Sequence, residues 1–112
     1  MIDFEPIDQH FSELMRRLGA DGDVALAARL VSRATRRGDI CLDLAAWAGV
    51  PLEDRRSTPE LAAWLMALNR SPVVGSPSDC TPMVLDAKAR LYLRRYFDYE
   101  QRLAGAIRNL SA

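Results

Sequence analysis

The sequence holds one histidine, two cysteines and a single lysine, carries no net charge, and has no apolar run near the roughly 18 residues that a membrane span needs. Each shortage excludes something. Cys41 and Cys80 are too few and too far apart for a metal framework. Free thiols in a reducing cytoplasm are the default for such a pair, and no signal peptide precedes them, so a cytoplasmic protein is expected. A thiol enzyme would have to bring His10 to one of these cysteines across the fold, but His10 reads as solvated and Cys41 as a strand residue. Phosphate-cradling loops need glycines five apart followed by Lys and Ser or Thr. None of the six glycines, at 19, 22, 38, 49, 75 and 105, is followed by lysine. The 15 carboxylates are scattered, with no pair spaced for acid–base work, and balance against 15 basic residues gives no global field toward nucleic acid or membrane. No catalytic, metal or cofactor residue is therefore expected.

What is present describes a small globular protein. At 112 residues, 49% hydrophobic and 27% charged, residues 1–112 suffice for one domain with a real core. The first helix is expected to start on Asp8 as N-cap and end at Gly19, burying Ile7, Phe11, Leu14, Met15 and Leu18. Asp23 caps a second helix, 24 to about 37, closed by Gly38. Val24, Ala27, Leu30, Val31 and Ala34 share one arc of it, and Arg29, Arg33, Arg36 and Arg37 the opposite arc. That basic stripe suits phosphates or an acidic partner, and equally suits a solvated face whose last arginines complement the helix dipole. Leu26 lies among these arginines, away from the core arc, which favours a partner surface.

Residues 39–44 alternate as a short strand with Ile40, Leu42 and Leu44 on one side. A helical turn with Trp47 follows, then a charged loop over 51–56. Ser57 and Glu60 suggest a capping box, with Pro59 in the first turn of a helix carrying Leu61, Trp64, Leu65 and Leu68. Trp47 and Trp64 read as core or shoulder residues more readily than as ligand platforms. Ser71-Pro72 stops that helix, Val73-Val74 allows a brief extended piece, and the Gly/Ser/Pro-rich stretch 75–82 reads as the most mobile internal loop.

Residues 81–101 are the most informative stretch. Met83-Val84-Leu85-Asp86 and the alternation over 90–96 predict a β-hairpin, with Leu91 and Leu93 inward and Arg90, Tyr92, Arg94 and Tyr96 outward. The turn, 86–89, lacks Gly and Asn, so a loop of about three to five residues built on a type I turn fits it. A last helix carries Tyr96, Tyr99, Leu103, Ala106, Ile107 and Leu110 on one stripe, with Asp98 and Glu100 in its first turn and Arg108 near its end. The Tyr and Arg side chains of this stretch suit a protein interface, a clamp for single-stranded nucleic acid, or a face covered by the last helix. The candidate interface residues are Arg90, Tyr92, Arg94 and Tyr96, followed by Leu26, Arg29 and Arg33. The expected fold is mainly α with a minor β part: helices around a small sheet of about two or three strands, the strand at 41–43 lying beside the hairpin. From the second helix to the hairpin the order is that of a winged helix-turn-helix.

Together, residues 23–44 (DVALAARLVSRATRRGDICLDL) and 81–103 (TPMVLDAKARLYLRRYFDYEQRL) resemble the N-terminal domain of RecD, the alpha subunit of exodeoxyribonuclease V, the RecBCD helicase–nuclease. The likeness runs from about Asp8 to Ile107. Its marks are Ser32 to Gly38, Cys41-Leu42-Asp43-Leu44, Ser71-Pro72-Val73-Val74, and Pro82 to Arg95. Two positions depart from the pattern: the hairpin turn lacks a frequent Gly, and Phe97 stands for a frequent Trp. The resemblance implies a non-catalytic domain that precedes RecA-like motor domains, absent here, and docks RecD onto its complex. The implied partners are the gamma subunit (RecC-like) and the beta subunit. ATP and Mg would belong to the parent complex, and DNA would be met only through it. The rival reading is a winged helix that binds nucleic acid itself. A DNA reader concentrates basic residues on its recognition helix, yet residues 60–69 hold no Lys or Arg and Arg70 stands only at the end.

Overall fold

The computed structural model describes residues 3–52 and 57–111. Helix α2 (Gly22–Arg36) is its axis. Val24, Ala27, Leu30, Val31 and Ala34 are buried as the periodicity requires, and Ala25 and Ala28 are buried beside them against α1 (Pro6–Arg17). Small alanine side chains let a neighbouring backbone come close, and the Ser12 hydroxyl reaches the Ala25 carbonyl at 2.8 Å. The cap of α2 is Asp21, whose Oδ1 accepts from Val24 N–H at 3.0 Å, and not Asp23. The Asp23 carbonyl instead receives the indole N–H of Trp64 at 3.0 Å, tying α4 (Leu61–Arg70) to the start of α2. Trp64 and Leu68 are fully buried there.

A four-stranded sheet closes the core, with order β1-β4-β3-β2. Strand β1 (Leu42–Asp43) pairs antiparallel with β4 (Arg90–Leu93), and β4 pairs antiparallel with β3 (Met83–Leu85). This is the expected arrangement of the early strand beside the hairpin. The addition is β2 (Val74–Gly75), which pairs parallel to β3 and makes four strands where three were expected. Leu42, Met83 and Leu91 point into the main core, and Leu93 packs at its edge.

Several local expectations fail for identifiable reasons. Glu5, not Asp8, caps α1, because Asp8 is turned inward and fully buried. Ile7, Leu14 and Leu18 are consequently 59%, 48% and 51% exposed. Ile40 is also exposed, since the strand begins only at Leu42. The Ser57–Glu60 box does not form. Thr58 is buried, and its hydroxyl bonds the Trp47 carbonyl and accepts from Val50 N–H, closing the loop between α3 (Leu44–Trp47) and α4. Residues 53–56 of that loop lie outside the described part. The last helix, α5 (Arg94–Ser111), starts directly at the end of β4, so its first turn holds no acid. Its expected stripe can be followed at Tyr96, Ala106 and Leu103, the last two exposed; the side chains of Tyr99, Glu100, Ile107, Arg108 and Leu110 lie outside those described. Among the described residues no helix is long and apolar enough to cross a membrane.

The hairpin turn explains the missing glycine. Asp86 Oδ1 accepts from Lys88 N–H at 2.9 Å and Arg90 N–H at 3.0 Å, while Ala89 sits at φ 59°. That left-handed conformation crowds any Cβ. Replacing Ala89 with Gly is expected to stabilise the chain by about 0.5–1 kcal/mol after loss of the half-buried methyl. Thermal melting should then shift upward by about 2–5 °C, and an unchanged or lower midpoint would contradict the strain at Ala89.

Candidate protein interface

The sequence-derived interface residues do not form one surface. Tyr92 is buried, its ring edge-on to Phe97 at 5.3 Å and 77°, with Val84 completing a second small cluster. The first turns of α5 cover the outer face of β3 and β4 there, so that face is a packed layer instead of an open one. Arg90 is half-exposed but pairs with Asp86 at 2.7 Å, bracing the turn. Burial pushes the Asp86 carboxyl up, but hydrogen bonds from Arg90 and Lys88 outweigh it and hold it below its usual value. Arg94 folds back on the Gly/Ser/Pro-rich loop, donating to the carbonyls of Thr81 at 3.0 Å, Pro77 at 3.2 Å and Ser76 at 3.2 Å. Asp79 locks the other side of that loop through Ser76 N–H at 2.8 Å. A Cβ on Gly75 would stand 2.5 Å from Thr81 Oγ1. The loop expected to be the most mobile is thus held at Ser76, Pro77, Asp79 and Thr81 by hydrogen bonds, while residues 76–80 stay exposed.

Tyr96 lines an apolar groove of about 560 Å³ with Ile40, Leu103 and Arg95, and Leu26 and Arg29 line a polar groove of about 520 Å³ along α1 and α2. Arg95 lies 5.1 Å from the Tyr96 ring.

The α2 stripe is also engaged within the chain. Arg33 donates to Asp3 Oδ1 from Nε at 3.2 Å and Nη2 at 3.0 Å, and Arg37 approaches the same oxygen at 3.5 Å. Arg36 meets Glu5 at 3.3 Å and Asp8 at 3.1 Å, and Arg29 lies over the Phe4 ring at 4.6 Å. Leu26 is not stranded on a polar face: it is half-buried and packs at the edge of the core. The Arg33 hydrogen bonds hold the Asp3 carboxyl below its usual value. Burial pushes the Asp8 carboxyl up, but Glu5 N–H at 2.9 Å, the Ser32 hydroxyl at 2.7 Å and Arg36 outweigh it and leave it lowered.

That carboxylate has a consequence that periodicity missed. Asp8, Ser12 and Met15 face α2, while Ile7, Leu14 and Leu18 fall within about 40° of one another, roughly a quarter turn away. Met15 and Phe11 of the expected apolar arc therefore pack on the core, while its other edge, Ile7, Leu14 and Leu18, lies about half open. Its residues were visible in the sequence; the polar anchor that turns them outward was not.

The family model described as RecBCD enzyme subunit RecD, N-terminal domain, matches residues 3–92. The RecBCD enzyme subunit RecD of Mycolicibacterium smegmatis is 39% identical over 102 residues, covering 88% of this chain and 18% of that protein. That of Mycobacterium tuberculosis (strain H37Rv) is 34% identical over 99 residues, covering 86% of this chain and 16% of that protein. The chain thus spans less than a fifth of the length of these curated relatives.

Two outcomes follow from the geometry. Asp8→Ala should cost about 3 kcal/mol by leaving Arg36 without its buried partner. Because the folded Asp8 value is depressed, its contribution is complete above the unfolded value near 3.8 and is lost as pH falls through the folded value. Acid denaturation followed by circular dichroism should therefore be shallower below that point in the variant. Tyr92→Ala should lower stability by about 3 kcal/mol, as expected of a buried ring. A melt unchanged from the parent would place Tyr92 on the surface instead.

Proposed function

Because the chain belongs to the family of RecD N-terminal domains, we propose that it is a non-catalytic subunit-docking domain, holding a RecD-type 5′-to-3′ helicase motor onto the rest of a RecBCD-type helicase–nuclease. The gamma subunit (RecC-like) is its main partner in this reading and the beta subunit the second. ATP and magnesium belong to the motor, DNA is met through the assembled complex, and the setting is the cytoplasm.

The observation that carries this reading is the apolar row of α1. Three large aliphatic side chains stand half-exposed on one line at α1, whose adjacent face is already docked on α2. Covering them would contribute on the order of 1 kcal/mol each, with little ordering left to do because the helix is already held. The curated relatives are named as subunits of an enzyme, which gives such a row a class of occupant. The outer surface of α4, the candidate recognition helix, is formed by Ala62, Ala63, Met66, Asn69 and Arg70. A surface with a single guanidinium at one end favours docking over duplex reading.

Leu14→Asp combined with Leu18→Asp tests the row. Association with purified beta and gamma subunits should weaken by roughly 30-fold or more. The melting temperature should fall only by a few degrees, because both side chains are already about half exposed. Undiminished capture by the folded double variant would remove α1 as the docking surface.

A further inference from the structure

We propose that residues 3–5 are a displaceable strap that mimics one step of a single-stranded nucleic acid and masks a phosphate- and base-binding face on α2. The strap reads acid–aromatic–acid. Asp3 Oδ1 accepts from both Nε and Nη2 of Arg33, a place that a phosphate oxygen could take as well as a carboxylate oxygen, and Arg37 approaches the same oxygen at 3.5 Å. Glu5 sits on Arg36 at 3.3 Å. Between them Phe4 lies against the Arg29 guanidinium at 4.6 Å, where a base would stack.

The spacing suits the same reading. In an extended chain Cα atoms two residues apart are separated by roughly 6–7 Å, comparable to the step between neighbouring phosphates of an extended strand. Glu5 is in the extended region at φ −102° and ψ 164°. Two donors remain over: the Nε atoms of Arg29 and Arg36 are buried without a hydrogen-bond partner. A second ring, Trp47, lies 5.9 Å from the Arg33 guanidinium. The strap itself is lightly held, since the Asp3 and Glu5 side chains are 61% and 57% exposed and salt screens them. Asp8, by contrast, is fully buried and stays. With the strap in place three carboxylates, Asp3, Glu5 and Asp8, stand against the four guanidiniums of the face. Once it is displaced, Arg29, Arg33 and Arg37 are released around Arg36.

The test uses the 112-residue chain and a fluorescein-labelled oligo(dT) of about 20 nucleotides, read by anisotropy at low and physiological salt. Asp3→Asn/Glu5→Gln should bind at least about tenfold more tightly than the parent, with a steeper salt dependence. Replacing Arg29 and Arg33 with Gln in that background should abolish the gain, and the charge-matched Glu13→Gln/Asp39→Asn should show none. If the double variant loses its circular dichroism signature, Asp3→Asn alone gives the same readout with a smaller gain. Affinity unchanged in a folded strap variant overturns the proposal, as does a gain that survives loss of Arg29 and Arg33. Equally tight binding of polyglutamate of matched charge also overturns it, and assigns the face to an acidic protein segment.

Discussion

A carboxylate cannot be taken out of water alone, and Asp8 is taken out of water completely. Its two oxygens are met by the Glu5 amide, the Ser32 hydroxyl and the Arg36 guanidinium, from the start of α1 and the face of α2. These partners are directional, whereas the apolar contact between two helices is not. The rotation of α1 about its own axis is therefore set by hydrogen bonds and not by the best burial of its aliphatic residues. Removing the node would free α1 to roll Ile7, Leu14 and Leu18 toward the core, at the expense of the one surface on which they stand open.

The other half of the structure hangs on β4. It is the inner strand that bridges β1 to β3, and it passes into α5 with no loop, Leu93 in the strand and Arg94 in the helix. An immediate strand-to-helix junction leaves α5 little choice of direction, and Phe97 meets Tyr92 across it. Arg94 stands at that junction, and its guanidinium gathers the carbonyls of residues 76, 77 and 81, so the loop leading into β3 and the start of α5 are one unit. A residue that looks like a free surface cation in a strand is here the clasp of the sheet.

The legible part of the sequence was the part governed by periodicity and caps. The buried arc of α2, the inward Leu42 and Leu91, the pairing of the early strand with the hairpin, and the turn at 86–89 all follow from spacing and local chemistry. Periodicity identifies an apolar arc without saying which part of it meets a neighbour, and this is why Met15 and Phe11 of α1 pack as expected while Ile7, Leu14 and Leu18 do not. It also assumes one wet face per sheet strand, which fails at Tyr92, where α5 covers the second face. The distant partners of Asp3, Asp8 and Arg94 lie 13 to 34 residues away, a distance over which a single sequence gives no pairing signal. The left-handed Ala89 was visible only as a missing glycine.

The α1 row and the strap are parts of one continuous segment, residues 3–18, anchored in its middle by Asp8. Ile7 stands two residues from Glu5, and a proline, Pro6, separates them. Proline fixes its own φ and restrains the residue before it, so a shift of the helix start is carried into the strap with little slack. A partner covering Ile7 therefore bears on the contacts of Glu5 with Arg36 and of Asp3 with Arg33. Were the row a docking site and the strap displaceable, as proposed, linkage would make their coupling reciprocal. Asp8 decides the sign. While it holds Arg36 and Ser32, the helix keeps its orientation and only residues 3–5 move, so docking on the row and opening of the α2 face can coexist. A strap released together with Asp8 would turn α1 and close the row, making the two events exclusive. The buried position of Asp8 against the exposed positions of Asp3 and Glu5 favours the first arrangement.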